Sequence, residues 1–240
     1  MDEQVQRLVD KAWDQFQKIP EDHRFLIAIG GIPGSGKTTL SQMVTQALNA
    51  RHAILHPEVP KAVPVAAFVP MDGYHLTRAQ LSALPDPANA HARRGAEFTF
   101  DGAAFLTLVQ ALRAPLTPAT APILVPSFDH AVKDPKADDI AILPEHRIVV
   151  FEGNYVCLDK EPWRAAAALM DQRWFVDVGF GVARERLVRR HVRAGIAGDA
   201  EEAGRRADEN DLVNGREIVE GRVDVHEVVV SREDEGWRHE

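Results

Sequence analysis

The sequence predicts an α/β fold, a three-layer sandwich in which helices cover both faces of a mostly parallel central sheet. Short apolar runs typical of buried strands alternate with segments whose apolar residues recur at helical spacing. The first run, 25–29, leads through a glycine-rich loop directly into such a helical segment. The 240 residues, of which 45% are hydrophobic, suffice for the core of one domain that spans 1–240.

The composition narrows the possible partners. A formal net charge of −8 argues against nucleic-acid binding as the main function. The single cysteine, Cys157, excludes an internal disulfide framework and a cysteine-based metal site. No apolar run reaches the length of about 18 residues that indicates a membrane span, and the first residues do not resemble a secretory signal. We therefore expect a cytoplasmic protein with neither nucleic acid nor membrane as its partner.

The first 20 residues predict an amphipathic helix that packs on the domain. Ile19–Pro20 ends it. Its apolar residues, at spacings typical of one helix face, are Val5, Leu8, Val9, Ala12, Trp13 and Phe16.

Further elements follow from local patterns. Residues 51–64 contain three prolines and predict a loop, and a short helix is expected near 78–84. Asp101 predicts the N-cap of a helix, and the alanine-rich stretch 162–170 predicts another. Residues 227–231 indicate a last strand, after which the charged tail 232–240 is expected to fray.

A phosphate-binding loop follows the first strand. The pattern is Gly31-x-x-x-x-Gly36-Lys37-Thr38. Glycines let main-chain N–H groups converge on phosphate oxygens, and the next helix points its positive end at the same anion. Lys37 can reach the β- and γ-phosphates, and the Thr38 hydroxyl can bind Mg²⁺. The predicted nucleotide-binding residues are Gly31, Pro33, Gly34, Ser35, Gly36, Lys37, Thr38 and Thr39.

Two acidic residues come directly after apolar strands. Asp72 follows the strand 65–69, and Glu152 follows the strand 147–151. Ligands of open α/β sheets lie beyond the carboxyl ends of the strands, so both carboxylates are expected near the γ-phosphate. Asp72 can take a proton from a hydroxyl or bind Mg²⁺, and Glu152 can hold Mg²⁺ with Thr38. The alternative for Asp72 is an Asp-Gly turn that only ends the strand.

Two polar segments are candidates for small-molecule recognition. Arg93 and Arg94 precede a glycine and could bind an anionic group, although a solvated basic turn has the same pattern. The short strand 123–126 leads into a predicted loop at 127–135 that carries Asp129 and His130. Such a mixture of groups suits a polar ligand.

A cluster of arginines predicts a lid. After the strand 174–178, five arginines fall within ten residues: Arg184, Arg186, Arg189, Arg190 and Arg193. Their expected ligand is a triphosphate, although a solvated helix face with Glu185 as a partner remains an alternative. Gly195 and Gly198 bracket a flexible break before the charged helix 199–214, so we expect a hinged lid over about 184–215.

Taken together, these motifs resemble the P-loop small-molecule kinases of the phosphoribulokinase, uridine kinase and pantothenate kinase family. The likeness is strongest to the subgroup of nucleoside-triphosphate hydrolases and fructose-transport-system kinases, which has members in bacteria and fungi. The segments occur in the family's order and cover most of 25–230. They are Gly31–Thr38, 71–75, 93–95, 99–101, 126–130, 151–155 and 184–193.

The resemblance implies roles for single residues. Asp72 matches the general base, Glu152 the acid near Mg²⁺, and Arg186 and Arg190 the catalytic lid arginines that act with Lys37. The loop before Val228 matches the segment that holds adenine. The expected acceptor-binding residues are Tyr74, His75, Arg94, Asp129, His130, Asn154 and Tyr155.

The expected function is transfer of the γ-phosphate of ATP to a hydroxyl of a small metabolite, with Mg²⁺ as cofactor. A sugar, a nucleoside and a pantothenate-like alcohol acid are all open as the acceptor, and the protein could be a monomer or a homodimer. The alternative is a nucleotide-binding regulator or slow NTPase without an acceptor.

Overall fold

The computed structural model describes residues 2–57 and 63–231. The predicted tail 232–240 and residues 58–62 of the predicted loop 51–64 lie outside these residues. The loop prediction is wrong for 51–55, which continue the helix that begins at Lys37. The strands are β1 Phe25–Gly31, β2 Ala66–Pro70, β3 Ile123–Asp129, β4 Asp134–Ile142, β5 Ile148–Gly153, β6 Gln172–Asp177 and β7 Glu227–Val230. The helices are α1 Asp2–Phe16, α2 Lys37–Leu55, α3 Arg78–Ser82, α4 Pro87–Ala92, α5 Gly102–Leu112, α6 Trp163–Ala168, α7 Phe180–Arg193, α8 Ala200–Arg206 and α9 Leu212–Glu220.

A parallel sheet forms the centre of the described structure. Its strand order is β2-β5-β1-β6-β7, and each neighbouring pair is parallel. Every residue of β1 and β5 is buried, as expected for strands covered on both faces. These strands confirm the α/β fold with a mostly parallel central sheet.

Helices cover both faces of the sheet. Phe25, Ile27 and Ile29 pack with the apolar faces of α1 and α2 on one side. Leu26 and Ala28, which alternate with them along β1, pack on the other side with residues of α5, α6 and α9. These are the three layers that the sequence predicts.

A two-stranded antiparallel hairpin, β3–β4, stands apart from the central sheet. The prediction of a loop at 127–135 is wrong, because β3 continues to Asp129 and pairs with β4. The sequence 134–142 is rich in aspartate and mostly exposed, so it lacks the apolar alternation that indicates a strand. Asp129 and His130 therefore lie at the tip of a hairpin.

The region predicted to be a lid is helical but differs in detail from the prediction. After α7, Gly195 adopts a left-handed conformation (φ 61°). The predicted helix 199–214 extends to Glu220 as α8, a π-helical turn at Ala207–Asp211, and α9. None of the helices in 2–57 and 63–231 has the length and apolar character needed to cross a membrane.

We expect Gly73→Ala to lower the free energy of unfolding by about 1–3 kcal/mol, the usual cost of overpacking. A Cβ at this position would collide with the main-chain oxygen of Pro126 in β3. Gly181 in α7 is the matched control, because a Cβ there meets nothing within 4 Å. Chemical denaturation of both alanine variants measures the difference, and equal stabilities would show that the contact between Gly73 and β3 is not tight.

Candidate active site

The phosphate-binding loop joins the end of β1 to the start of α2. Gly34 and Gly36 have φ angles of 80° and 88°, which favour glycine. A Cβ at Gly31 would lie 2.7 Å from the Ser35 Oγ, so a larger residue would disturb the loop. The Ser35 hydroxyl is buried and has no hydrogen-bond partner in the described part of the chain. Tight glycines and an unsatisfied buried polar atom fit a loop that surrounds an anion.

A buried ion pair lies beside this loop. The Lys37 Nζ is 3.7 Å from the Glu152 Oε1. Burial raises the pKa of Glu152 to about 7, against the opposing effect of the Lys37 charge. The negative charge of Asp72 raises the same pKa, and a hydrogen bond with Thr38 lowers it. The structure thus brings together the side chains of Lys37, Thr38, Asp72 and Glu152.

These oxygens fit Mg²⁺, which prefers hydroxyl, carboxylate, phosphate and water ligands. Among residues 2–57 and 63–231, no group of three or more His, Cys, Asp or Glu side chains is arranged to hold a metal. A magnesium ion at Thr38 and Glu152 would therefore need further ligands from nucleotide phosphates or water.

Asp72 lies in a short 3₁₀ turn, Met71–Tyr74, that follows β2. The register of β2 against β5 sets Pro70 beside Glu152, so Asp72 emerges at the same sheet edge. The Nδ1–H of His75 donates to the main-chain oxygen of Asp72 (2.8 Å), which leaves Nε2 as an acceptor. Burial lowers the pKa of His75, so its ring is neutral at pH 7.

Arg94 links the segment after Asp72 to the hairpin. It donates to the main-chain oxygens of Lys133 (2.6 Å) and Leu76 (3.1 Å) and to the Asp134 Oδ1 (2.9 Å). Its guanidinium also lies over the ring of Phe128. The charge of Arg94 is therefore already matched by a carboxylate.

The other predicted acceptor residues divide into two groups. Asp129 accepts from two main-chain N–H groups of the hairpin tip, which lower its pKa, and His130 is exposed beside it. Tyr74 and Tyr155 are buried, and burial raises the pKa of both phenols. The Asn154 Oδ1 is buried without a hydrogen-bond partner in the described residues.

The two tyrosines have packing roles. The ring of Tyr74 meets that of Phe105 edge-on, with centroids 5.3 Å apart. The Tyr155 hydroxyl donates to the main-chain oxygen of Gly95 (2.7 Å). Contact of either phenol with a substrate stays a prediction.

Arg186 contacts the phosphate-binding loop itself. Its Nη1 donates to the Gly34 main-chain oxygen (3.2 Å) and to the Ser231 Oγ (2.8 Å). Ser231 directly follows β7, so this contact connects the end of β7 to the loop. Neither contact is visible from the sequence, because the partners are 152 and 45 residues away.

The remaining lid arginines differ in their surroundings. Arg184 forms a bidentate pair with Asp208, and Arg190 is exposed on α7. Asn210 and Asn214, which the sequence does not mark as site residues, are buried and bind Arg93. Their spacing of four along a helix is the sequence signal that could have paired them.

We expect Glu152 to contribute less to the stability of the nucleotide-free protein as pH rises from about 4.5 to 7. The pKa of Glu152 is about 7 in the folded protein and 4.5 ordinarily, so the folded state binds more protons over this range. Glu152→Gln removes this contribution, so the free energy of unfolding of the variant should increase relative to wild type as pH rises over this range, whereas exposed Glu3→Gln should follow wild type. Urea denaturation at several pH values measures the slopes, and equal slopes in Glu152→Gln and wild type would contradict the assignment.

No protein-family model matches the chain. An ATP-dependent kinase-like protein, notR′, of Aspergillus versicolor is 55% identical over 159 residues, which are 66% of this chain and 92% of that protein. A protein of Schizosaccharomyces pombe named "putative uridine kinase" is 39% identical over 196 residues, covering 82% and 78% of the two chains.

Solved structures agree with these relatives. The crystal structure named for a "putative fructose transport system kinase" of Silicibacter sp. TM1040 is 31% identical, with a TM-score of 0.78. The match covers 93% of this chain and 98% of that one. Sequence likeness, fold and the phosphate-binding loop coincide, and the chain belongs to the family of ATP-dependent P-loop kinases.

Proposed function

We propose that this kinase transfers the γ-phosphate of ATP to a hydroxyl of a small metabolite. The observation that carries the proposal is the meeting of Asp72 and Glu152, from the ends of adjacent parallel strands, beside Lys37 and Thr38. A loop that only binds nucleotide needs no second carboxylate on a separate strand. Phosphoryl transfer uses one acid for the metal and another for the attacking hydroxyl.

Asp72 is the proposed general base. It is partly exposed, unlike Glu152, and is therefore accessible to an acceptor. Its turn is held rigidly, because Gly73 packs against Pro126 and the main-chain oxygen of Asp72 binds His75. Asp72 would orient the hydroxyl and take its proton, a contribution of about 10²–10⁴ in rate.

The nucleotide side uses residues of the loop and the lid. Thr38 and Glu152 would hold Mg²⁺, which neutralises charge on the β- and γ-phosphates when bound. Lys37 would leave Glu152 for the phosphates, and exposed Arg190 is the proposed lid arginine that reaches them. Arg186 would not contact the phosphates itself. Through its hydrogen bond to Gly34 it would keep the loop in the conformation that receives them.

The acceptor side uses the segment after β2 and the hairpin. The neutral His75 ring, held between Phe100 and Phe128, would accept a hydrogen bond from an acceptor hydroxyl at Nε2. His130 and Asp129 at the hairpin tip and Asn154 after β5 are further candidates. The names of two relatives, uridine kinase and fructose transport system kinase, both refer to hydroxylated small molecules.

Asp72→Asn should lower kcat by about 10²–10⁴, because the amide cannot accept the hydroxyl proton. Affinity for MgATP should change little, since Lys37 and Thr38 are untouched. The measurement is ADP release with a pool of sugars, nucleosides and hydroxy acids, beside binding of a fluorescent ATP analogue.

Asp138→Asn is the matched control, because Asp138 is exposed on β4. Full turnover by Asp72→Asn would refute the role of this carboxylate. ADP release that no acceptor stimulates would favour a slow NTPase or a nucleotide-binding regulator.

A further inference from the structure

Arg93 and Arg94 are neighbours in the sequence, but their partners differ in charge. Arg94 binds the carboxylate of Asp134. Arg93 donates from Nε to the Asn210 Oδ1 (2.9 Å) and from Nη2 to the Asn214 Oδ1 (2.6 Å). Amide oxygens carry no net charge, so these contacts orient the guanidinium of Arg93 without neutralising it.

The two asparagines hold the guanidinium of Arg93 in a fixed position. Asn210 and Asn214 are only 4% and 1% exposed. Asn210 also donates from Nδ2 to the main-chain oxygen of Arg94 (3.1 Å). It lies in the π-helical turn before α9. Such turns are rare in proteins, and those that occur are often at functional sites.

The acidic residues of this neighbourhood do not pair with Arg93. Glu217, Glu97 and Asp211 all act on Tyr155, near Arg93, but Glu97 binds Lys160, Asp211 binds His191, and Glu217 is exposed on α9. Of the carboxylates in the described residues, none lies within the 4.0 Å ion-pair distance of Arg93. Partial burial of an unmatched cation is costly unless an anion completes the site.

Arg93 is held next to the active site. Asn214 precedes Gly215, where a Cβ would lie 3.5 Å from the Cβ of Ile32 in the phosphate-binding loop. From the other side, Tyr155, three residues after Glu152, holds the main-chain oxygen of Gly95. The segment that carries Arg93 is thus fastened between the loop and the end of β5.

We propose that Arg93, positioned by Asn210 and Asn214, binds an anionic group of the acceptor. The substrate class is therefore a hydroxylated metabolite that also carries a carboxylate or a phosphate, such as a hydroxy acid or a sugar phosphate. This inference rests on the proposed kinase function. It selects Arg93, with its uncompensated charge, over Arg94, and it sets neutral sugars and nucleosides aside.

Anion binding is the direct test. With the nucleotide site saturated by a non-hydrolysable MgATP analogue, D-glycerate and inorganic phosphate are titrated separately by calorimetry. Wild type should bind at least one of the two, and Arg93→Gln should weaken that binding at least about tenfold. Arg78→Gln is the control, because Arg78 is an exposed arginine that pairs with Asp134. No binding by wild type, or equal binding by Arg93→Gln, would overturn the proposal.

Asn214→Asp separates a ligand role from a structural one. The carboxylate can keep the hydrogen bond from Arg93 while neutralising its charge, so the melting temperature should hold and anion affinity should fall at least about tenfold. If Asn214→Asp does not fold, Asn210→Asp replaces it in this test, because Asn210 binds the same guanidinium. A folded aspartate variant with undiminished anion affinity would overturn the proposal.

Matched acceptors then test specificity. ADP release is compared for D-glycerate and glycerol, gluconate and glucitol, and ribose 5-phosphate and ribose. Only the anionic member of each pair should be phosphorylated. Comparing D-glycerate and gluconate with ribose 5-phosphate shows whether the site takes a carboxylate or a phosphate. Equal kcat/KM for a neutral member would overturn the inference but leave the kinase function intact. Failure of every acceptor would count against the kinase proposal, while the calorimetry still decides the role of Arg93.

Discussion

The parallel register between β1 and β5 is the constraint on which the active site depends. It sets Glu152 beside Ile29, two residues before β1 ends at Gly31. After the phosphate-binding loop, the Lys37 Nζ lies 3.7 Å from the Glu152 Oε1. The next strand, β2, continues the same register and delivers Asp72 to the same edge. A shift of one residue in β5 would turn Glu152 away from the loop. The arrangement of these two carboxylates is thus set by the sheet rather than by flexible loops.

Side chains from distant segments then hold the loops around this edge. Arg186 fastens α7 and Ser231 to the phosphate-binding loop. Arg93 fastens its own segment to the π-helical turn through the buried amide of Asn210 and to α9 through that of Asn214. Such polar networks are stable only when nearly all their groups are satisfied. These contacts therefore tie the helices α7 to α9 both to the phosphate-binding loop and to the segment that carries Arg93.

The sequence predicts the features that are local and misses those that depend on distant partners. The phosphate-binding loop and the acids after two apolar strands follow from short patterns, and the α/β fold follows from their alternation. The strand β4 is not predicted from the sequence, because its mostly exposed residues lack the alternation of apolar and polar side chains that indicates a strand. Arg93 and Arg94 cannot be told apart, because Asp134 and Asn210 lie 40 and 117 residues away. Burial of Tyr155 is likewise a tertiary property.

In the proposed reaction, Asp72 and the loop residues pass the γ-phosphate to an acceptor hydroxyl rather than to water. The most direct measurement uses ATP radiolabelled in its γ-phosphate, incubated with the protein, Mg²⁺ and the panel of hydroxylated metabolites. We predict that the label moves into an organic phosphate ester with wild type and not with Asp72→Asn. Label recovered only as inorganic phosphate, whatever metabolite is present, would contradict this proposal.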